Sequence, residues 1–254
     1  MNDSVLLEVT DGVARITLNR PDQLNAINYA VLTGLLEAVQ RADADPEVGC
    51  IVVTGAGRGF CAGGDMREGA GPPKDDPAPV FLRDGVEASR LLRESRKPTI
   101  AMVNGPVAGA GIGVAGACDL RFASKSATFV CAYDKVGAAG DYGATFVWVR
   151  ALGAAKAREI FLLGEKFTAD EALAFGIYTR VFEEAELRAA TLAVAQRLAD
   201  GPRPAYGYMK ENLNAAETEL FGPHLDRETG NLRVSAKESY RWLKARREAA
   251  QARD

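Results

Sequence analysis

The stretch Lys97–Ser124, KPTIAMVNGPVAGAGIGVAGACDLRFAS, decides how this chain is read. Its opening, PTIAMV, has the unbroken apolar character of a strand covered on both faces. Glycines follow, and Gly111, Gly113 and Gly116 spell G-x-G-x-x-G, the shape of a dinucleotide-binding fingerprint. Such a fingerprint puts its first glycine directly after the strand, so that a helix N-terminus meets the pyrophosphate. Here the seven residues NGPVAGA separate Val103 from Gly111, and the motif does not open the first βαβ unit. The dinucleotide reading is therefore set aside. Asp134, 18 residues past Gly116, then reads as a carboxylate at the end of a strand.

Working outward, two loops share one character. FCAGGD (Phe60–Asp65) and NGPVAGAG (Asn104–Gly111) each follow an expected buried strand, CIVVTG and PTIAMV. Both are rich in small residues, so backbone N–H groups can approach a ligand unobstructed. Two such groups converging on one oxygen make an oxyanion hole. Two tight turns packing helices onto a sheet would have the same spacing, and both readings stay open here.

The rest of the chain alternates. SVLLEVTDGVARITLN reads as two strands around an Asp11-Gly12 hairpin turn. Val31, Leu32, Leu35, Leu36 and Val39 recur at helical spacing after Asn28, a fitting N-cap. A glycine- and proline-rich segment, GAGPPKDDPAP, precedes a helix expected over Val80–Arg96. CDLRFASKSATFVCA gives two further strands, and from Gly143 the chain reads as helical, with one strand near Ile177–Phe182. Strands alternating with helices, then a helical tail, predict an α/β core over residues 1–200 and a helical C-terminal region over 201–254, divided near Gly201-Pro202.

Bulk properties narrow the function. The chain has 254 residues, 47% hydrophobic and 26% charged, with net charge −3. That is the balance of a globular protein large enough to bury roughly 75% of its unfolded surface. Mild acidity argues against nucleic-acid partners, which call for a basic stripe. Cys50, Cys61, Cys118 and Cys131 form no C-x-x-C pair, and His224 is the only histidine, so no metal site is expected. Four packed, reduced thiols, no signal-peptide pattern and no run of about 18 apolar residues lead to the expectation of a cytoplasmic protein without membrane contact.

Four stretches together resemble the crotonase, or enoyl-CoA hydratase/isomerase, superfamily: LNRPDQLNAIN (Leu18–Asn28), GRGFCAGGDM (Gly57–Met66), the Lys97–Ser124 stretch, and ALGAAKAREIFLLGEKFTADEALAFGIYTRVF (Ala151–Phe182). The resemblance spans nearly the whole chain in order. It implies a spiral of βαβ units with a helical C-terminal trimerisation region, assembled as a homotrimer or as a hexamer of two trimers. It also implies acyl-CoA thioester substrates, coenzyme A arriving as part of the substrate and no permanently bound cofactor. Carried over residue by residue, the oxyanion donors fall on the backbone N–H groups of Gly64 and Ala110. Ala62, Gly63 and Met66 fall where coenzyme A lies, and Arg20 where a phosphate could be reached. Asp65 reads better as a brace of its loop than as a proton carrier, Asp119 as structural, and Tyr206, Tyr208 and Lys210 as packing or solvated tail residues.

The pattern breaks at the two glutamates with which hydratases of this superfamily activate water. Their positions align with Gly113 and Tyr133, neither of which replaces a carboxylate. A carboxylate stands eight residues past Tyr133, at Asp141 in KVGAAGDYGATF. There the chain resembles two branches: isomerases of the phenylacetyl-CoA ring-epoxide type, and chlorobenzoyl-CoA dehalogenase, whose FVCA before an aromatic is echoed in Phe129–Tyr133. One base suffices to move a double bond by removing and returning a proton. Attack on an aryl carbon is also open to a carboxylate, but dehalogenation then needs a second base, and His224 lies in the tail. Asp141 also fits an N-cap for a helix starting near Tyr142. Three readings follow: an isomerase acting through Asp141; a hydratase, hydrolase or dehalogenase on the same scaffold; and a catalytically silent CoA-binding subunit. The small residues of VAGACD (Val114–Asp119) and the Pro72–Pro79 segment suggest a roomy acyl pocket.

Overall fold

The computed structural model describes residues 3–68 and 80–251, so Pro72–Pro79 lies outside the described residues. Strands β1 (Val5–Thr10) and β2 (Val13–Leu18) pair antiparallel, with Val5 opposite Leu18. Asp11 and Gly12 both take positive φ, 49° and 80°, the geometry that an Asp-Gly hairpin turn adopts readily. After a short 3₁₀ turn at Pro21–Gln23, Asn28 caps α1 (Tyr29–Ala44), its side chain accepting from the Val31 N–H at 3.0 Å. The expected stripe is present: Val31, Leu32, Leu35 and Val39 are buried, and Leu36 packs against them half-buried.

Then come β3 (Cys50–Gly55), α2 (Val80–Glu94), β4 (Thr99–Val103), β5 (Val107–Ala108), α3 (Ala110–Ala117), β6 (Leu120–Ser124) and β7 (Thr128–Val130). The remaining elements are α4 (Tyr133–Val136), α5 (Ala144–Leu152), α6 (Ala154–Leu163), β8 (Lys166–Thr168), α7 (Ala169–Ala174), β9 (Arg180–Phe182), α8 (Glu184–Asp200), α9 (Arg203–Ala216) and α10 (Phe221–Gln251). The main sheet runs β1-β2-β3-β4-β6-β9, parallel from β2 onward. Strands β3 and β4 are apolar on both faces because each face meets a different layer. Ile51, Val53, Ala101 and Val103 join the core beneath α1 and α3, whereas Cys50, Val52, Ile100 and Met102 pack with Leu187, Ala195 and Ala199 of α8.

A second, smaller layer rises beside the sheet. Strands β5, β7 and β8 form it, extended by bridges that join Ile27 to Gly64 and Cys61 to Val107. Successive turns of chain thus give one strand to the main sheet and one short extended step to the second layer, the βαβ spiral that the family resemblance implies. The two glycine-rich loops are consecutive steps of that layer.

Several local expectations change. Asp134 is not at a strand end but in the first turn of α4. Strand β8 was not foreseen, because its three residues are too short to alternate visibly. Lys210 is neither solvated nor mere packing: it is buried, its Nζ 2.8 Å from Asp119 Oδ2 and 2.9 Å from the Lys97 carbonyl. This pair ties α9 to the core, and Asp119 also accepts from the Thr99 N–H and hydroxyl at 2.7 and 3.0 Å. All four cysteines are free and buried. Among the described residues no helix is long and apolar enough to cross a membrane, and no cluster of His, Cys, Asp and Glu could hold a metal ion.

Candidate active site

The two loops meet. The Cys61–Val107 bridge pairs them, with the Ala108 N–H donating to the Cys61 carbonyl at 2.9 Å. Gly63, at φ 96°, abuts the peptide of Ala110 so closely that a Cβ there would lie 3.5 Å from the Ala110 nitrogen. Gly63 is fixed from its other side, where its carbonyl accepts from the Ile27 N–H at 2.7 Å. Neighbouring donors are consumed in this stitching: Ala62 gives its N–H to Leu24, Asp65 to Ile27, and Gly109 to Val130. The N–H groups of Gly64 and Ala110 are different. Neither has a hydrogen-bond partner among the described residues, and the space beside Gly64 is open for 4 Å. Ala110 is also the first residue of α3, so its N–H is one of the donors a helix leaves unpaired, at the positive end of the helix dipole. Two unpaired N–H groups on adjoining loops can share one anionic oxygen.

Asp65 and Arg20 turn inward. The Asp65 carboxylate accepts from the N–H groups of Arg67 and Glu68 at 2.9 and 3.1 Å, and from Arg20 at 2.8 Å. Burial alone would raise its pKa, but Arg20 and the two N–H groups outweigh burial and hold it below the usual aspartate value. Arg20 is spent in the same knot, on Asp65, Glu68 and the Ala26 carbonyl. Its guanidinium is therefore a clamp on the loop that ends in Gly64, and the expectation that it reaches toward a phosphate is revised. Ala62 and Met66 lie on the surface, Met66 with 74% of its area exposed.

Asp141 is held by a loop under strain. Ala132 and Tyr142, neither of them glycine, take φ of 58° and 48° on either side of it, a cost that clusters where a side chain must be aimed. Asp141 does not act as a side-chain N-cap. The N-cap of α5 is Gly143, and Asp141 supports the helix only through its carbonyl, which accepts from the Ala144 N–H at 2.9 Å. Its carboxyl is free for another use. Oδ1 accepts from the Tyr133 hydroxyl at 2.6 Å, and the same hydroxyl lies 3.1 Å from the Gly109 carbonyl. Asp141 as a whole residue is exposed; such burial as its carboxyl has pushes its pKa up, opposed by that hydrogen bond. Tyr133 is buried and stacked on Phe161, with centroids 5.8 Å apart. Burial and then the Asp141 charge push its phenol pKa well up, so it stays a donor.

At Gly113, where hydratases of the superfamily would carry a glutamate, the space is filled. A Cβ there would meet Tyr142 Cβ at 2.6 Å and the Asp141 carbonyl at 2.9 Å. Tyr142 was not singled out from sequence, although an aromatic residue between two glycines in GDYG signals a tight turn with a ring to bury. The small residues of Val114–Asp119 likewise leave no room for an acyl group. Gly116 admits Val147 and Trp148 of α5, which a Cβ would meet at 3.1 and 3.3 Å. A cavity of about 450 Å³ does open beyond Tyr133, between Ala138, Val149 and Phe161, but Asp141, Gly64 and Ala110 do not line it. The chemistry is assigned to the polar groups, not to that cavity. His224 sits on α10 between Glu219 and Glu228.

Fold and site together define an α/β spiral whose adjoining loops offer unpaired N–H groups, with Asp141 linked through the Tyr133 hydroxyl to the peptide that carries one of them. The chain belongs to the enoyl-CoA hydratase/isomerase family, whose model matches residues 8–238. It is 34% identical to the 1,2-epoxyphenylacetyl-CoA isomerase of Escherichia coli over 93% of this chain and 92% of that protein. To 4-chlorobenzoyl coenzyme A dehalogenase-2 of an Arthrobacter species it is also 34% identical, over 91% of this chain and 85% of that one. A chain from Thermobifida fusca YX, solved in complex with CoA, superposes with a TM-score of 0.86 at 28% identity, covering 94% of this chain and 95% of its own.

Proposed function

We infer that this protein moves a double bond, or isomerises a strained unsaturated ring, in an acyl-CoA thioester, with Asp141 as the proton carrier. One observation carries the reading. A single hydroxyl, that of Tyr133, touches both Asp141 and the carbonyl of the peptide unit whose other end is the unpaired N–H of Ala110. The hydroxyl thereby links the carboxylate to the carbonyl end of the peptide whose N–H would hold the thioester oxygen.

Each group then has a task. The N–H groups of Gly64 and Ala110 donate to the thioester oxygen and stabilise it as it becomes an enolate; losing one such donor typically costs about 3–4 kcal/mol. Asp141 removes a proton from the carbon α or γ to the thioester, and the C–H electron pair moves into the enolate. The protonated carboxyl then returns the proton to a different carbon, leaving the double bond shifted. A carboxylate whose pKa is raised is the better base for this work. No resident cofactor is required, since coenzyme A comes with the substrate and would lie along Ala62, Gly63 and Met66. Relatives named for isomerase and dehalogenase chemistry, and one solved with CoA, support the substrate class. Among the described residues, water addition lacks its pair of carboxylates, and dehalogenation lacks a second base near Asp141.

Exposed apolar side chains on α9 and α10, among them Met209, Leu213, Phe221 and Leu232, support assembly into a homotrimer or a hexamer. The four free, buried thiols support a cytoplasmic setting.

The test is direct. Incubated with (E)-3-hexenoyl-CoA in deuterated water, the protein should exchange protons and shift the double bond, and Asp141→Asn should do neither. Isomerisation unaffected by that substitution would sink the reading; a water adduct or free acid would favour hydration or hydrolysis. Binding of CoA with no exchange of any unsaturated acyl-CoA would leave a silent subunit.

A further inference from the structure

We propose that Tyr133 couples the base to the oxyanion site. Its hydroxyl donates to Asp141 Oδ1 while Asp141 is a carboxylate, and to the Gly109 carbonyl once Asp141 holds the substrate's proton. The inference rests on Asp141 being the proton carrier, and it goes further by giving Tyr133 a moving part.

The geometry supplies the two positions. The hydroxyl has one proton and two acceptors, at 2.6 Å and 3.1 Å. A carboxylate is the stronger acceptor, so the resting proton lies toward Asp141. With Oδ1 so occupied, Oδ2 is the oxygen left to take a proton from substrate. When it does, Oδ1 loses its charge and its hold on the phenol. Meanwhile negative charge has arrived on the thioester oxygen at Ala110. A phenol that now donates to the Gly109 carbonyl polarises that peptide unit and strengthens its N–H as a donor, because linked hydrogen bonds reinforce one another. The phenol therefore follows the charge from base to oxyanion without any heavy atom leaving its place.

The ring is built to stay still while the proton moves. Tyr133 is 4% exposed and lies flat against Phe161, at an interplanar angle of 18°. It follows the strained Ala132 and begins a helix of a single turn that ends in Gly137. Among the described side chains, no competing charge acts on Asp141. The titratable neighbours are Cys61, from the loop after β3, Cys131 beside Tyr133, and Tyr142 in the same turn as Asp141. Burial keeps all three neutral near pH 7, the Cys61 thiol pushed up to about 12. Asp134 on α4 turns to Gly164, away from this pair. Among the residues whose side chains are described, no Lys, Arg or His faces Asp141.

Tyr133→Phe is the variant of choice, since it keeps the ring and its stacking. Two readouts are made. The first is the titration of the Asp141 carboxyl carbon by NMR in protein with ¹³C-labelled aspartate, assigned by its loss in Asp141→Asn; it needs no substrate. Its midpoint should rise in Tyr133→Phe by about one pH unit, the size expected for a lost hydrogen bond to the charged form. The second is turnover of (E)-3-hexenoyl-CoA, whose kcat should fall about 10- to 100-fold, with its acid limb moved up in pH and KM changed less than about threefold. An unmoved carboxyl midpoint, or an unchanged kcat, overturns the coupling. If instead Asp141→Asn keeps full turnover, the proton-transfer reading itself fails, and the NMR midpoint still reports whether Tyr133 holds Asp141.

Discussion

Replacing Gly113 by alanine tests how tightly the Asp141 turn is seated. The added methyl would lie 2.6 Å from Tyr142 Cβ, 2.9 Å from the Asp141 carbonyl and 3.2 Å from the Tyr142 carbonyl. Carbon atoms in ordinary contact stand about 3.5–4.0 Å apart, so the turn must retreat by about 1 Å. None of the three clashing atoms is the far end of a flexible side chain, and Tyr142 is buried, so the retreat is felt by the packing around it. Overfilling of this kind costs about 1–3 kcal/mol, which lowers the melting temperature of a chain this size by about 2–4 °C per kcal/mol. Turnover should suffer more than stability. Displacing a reacting group by about 1 Å can cost about a hundredfold in rate. Thermal unfolding and (E)-3-hexenoyl-CoA turnover, measured on the same preparation, check both numbers. A Gly113→Ala protein with unchanged melting temperature and unchanged kcat would refute the claim that the turn fills this space. The same clash predicts that Gly113→Glu will not install a hydratase carboxylate, because its Cβ meets the turn first.

Two further outcomes follow from the charged groups. Lys210→Met removes the buried partner of Asp119 and should destabilise the protein by about 3 kcal/mol in urea unfolding, the low end for a broken buried pair because Asp119 keeps 29% of its side chain in water. Asp65 has a folded pKa below its unfolded one, so its contribution is fully present above about pH 4 and fades as pH falls through the folded value. Asp65→Asn should therefore lower stability at neutral pH and flatten the acid side of the stability–pH curve; an unchanged acid limb would contradict the brace.

Much of the fold was legible because its signals are local or doubly written. The Asp11-Gly12 turn, the Asn28 cap and the two-faced apolar strands β3 and β4 each carry their own evidence. The joining of the two glycine-rich loops was legible as a likeness of composition, but the bridge from Cys61 to Val107 that makes them neighbours belongs to the second layer. What the sequence hid depends on partners far along the chain. Lys210 looks like any lysine on a helix, and only Asp119, on the other side of the core boundary, makes it a buried ion. Gly113 looks like a vacancy, and only the strained backbone of Tyr142 shows it to be a seat. Arg20 looked available for a phosphate because two of its acceptors, Asp65 and Glu68, lie 45 and 48 residues further along the chain.

The central claim is that one carboxylate moves a proton and that no water is added. It is tested most directly by one reaction run in D₂¹⁸O and analysed by mass spectrometry. With (E)-3-hexenoyl-CoA the wild-type protein should give a conjugated product that carries deuterium and no ¹⁸O, and Asp141→Asn should give back unlabelled substrate. Oxygen-18 in the wild-type product, or deuterium incorporated at the full rate by Asp141→Asn, would contradict it.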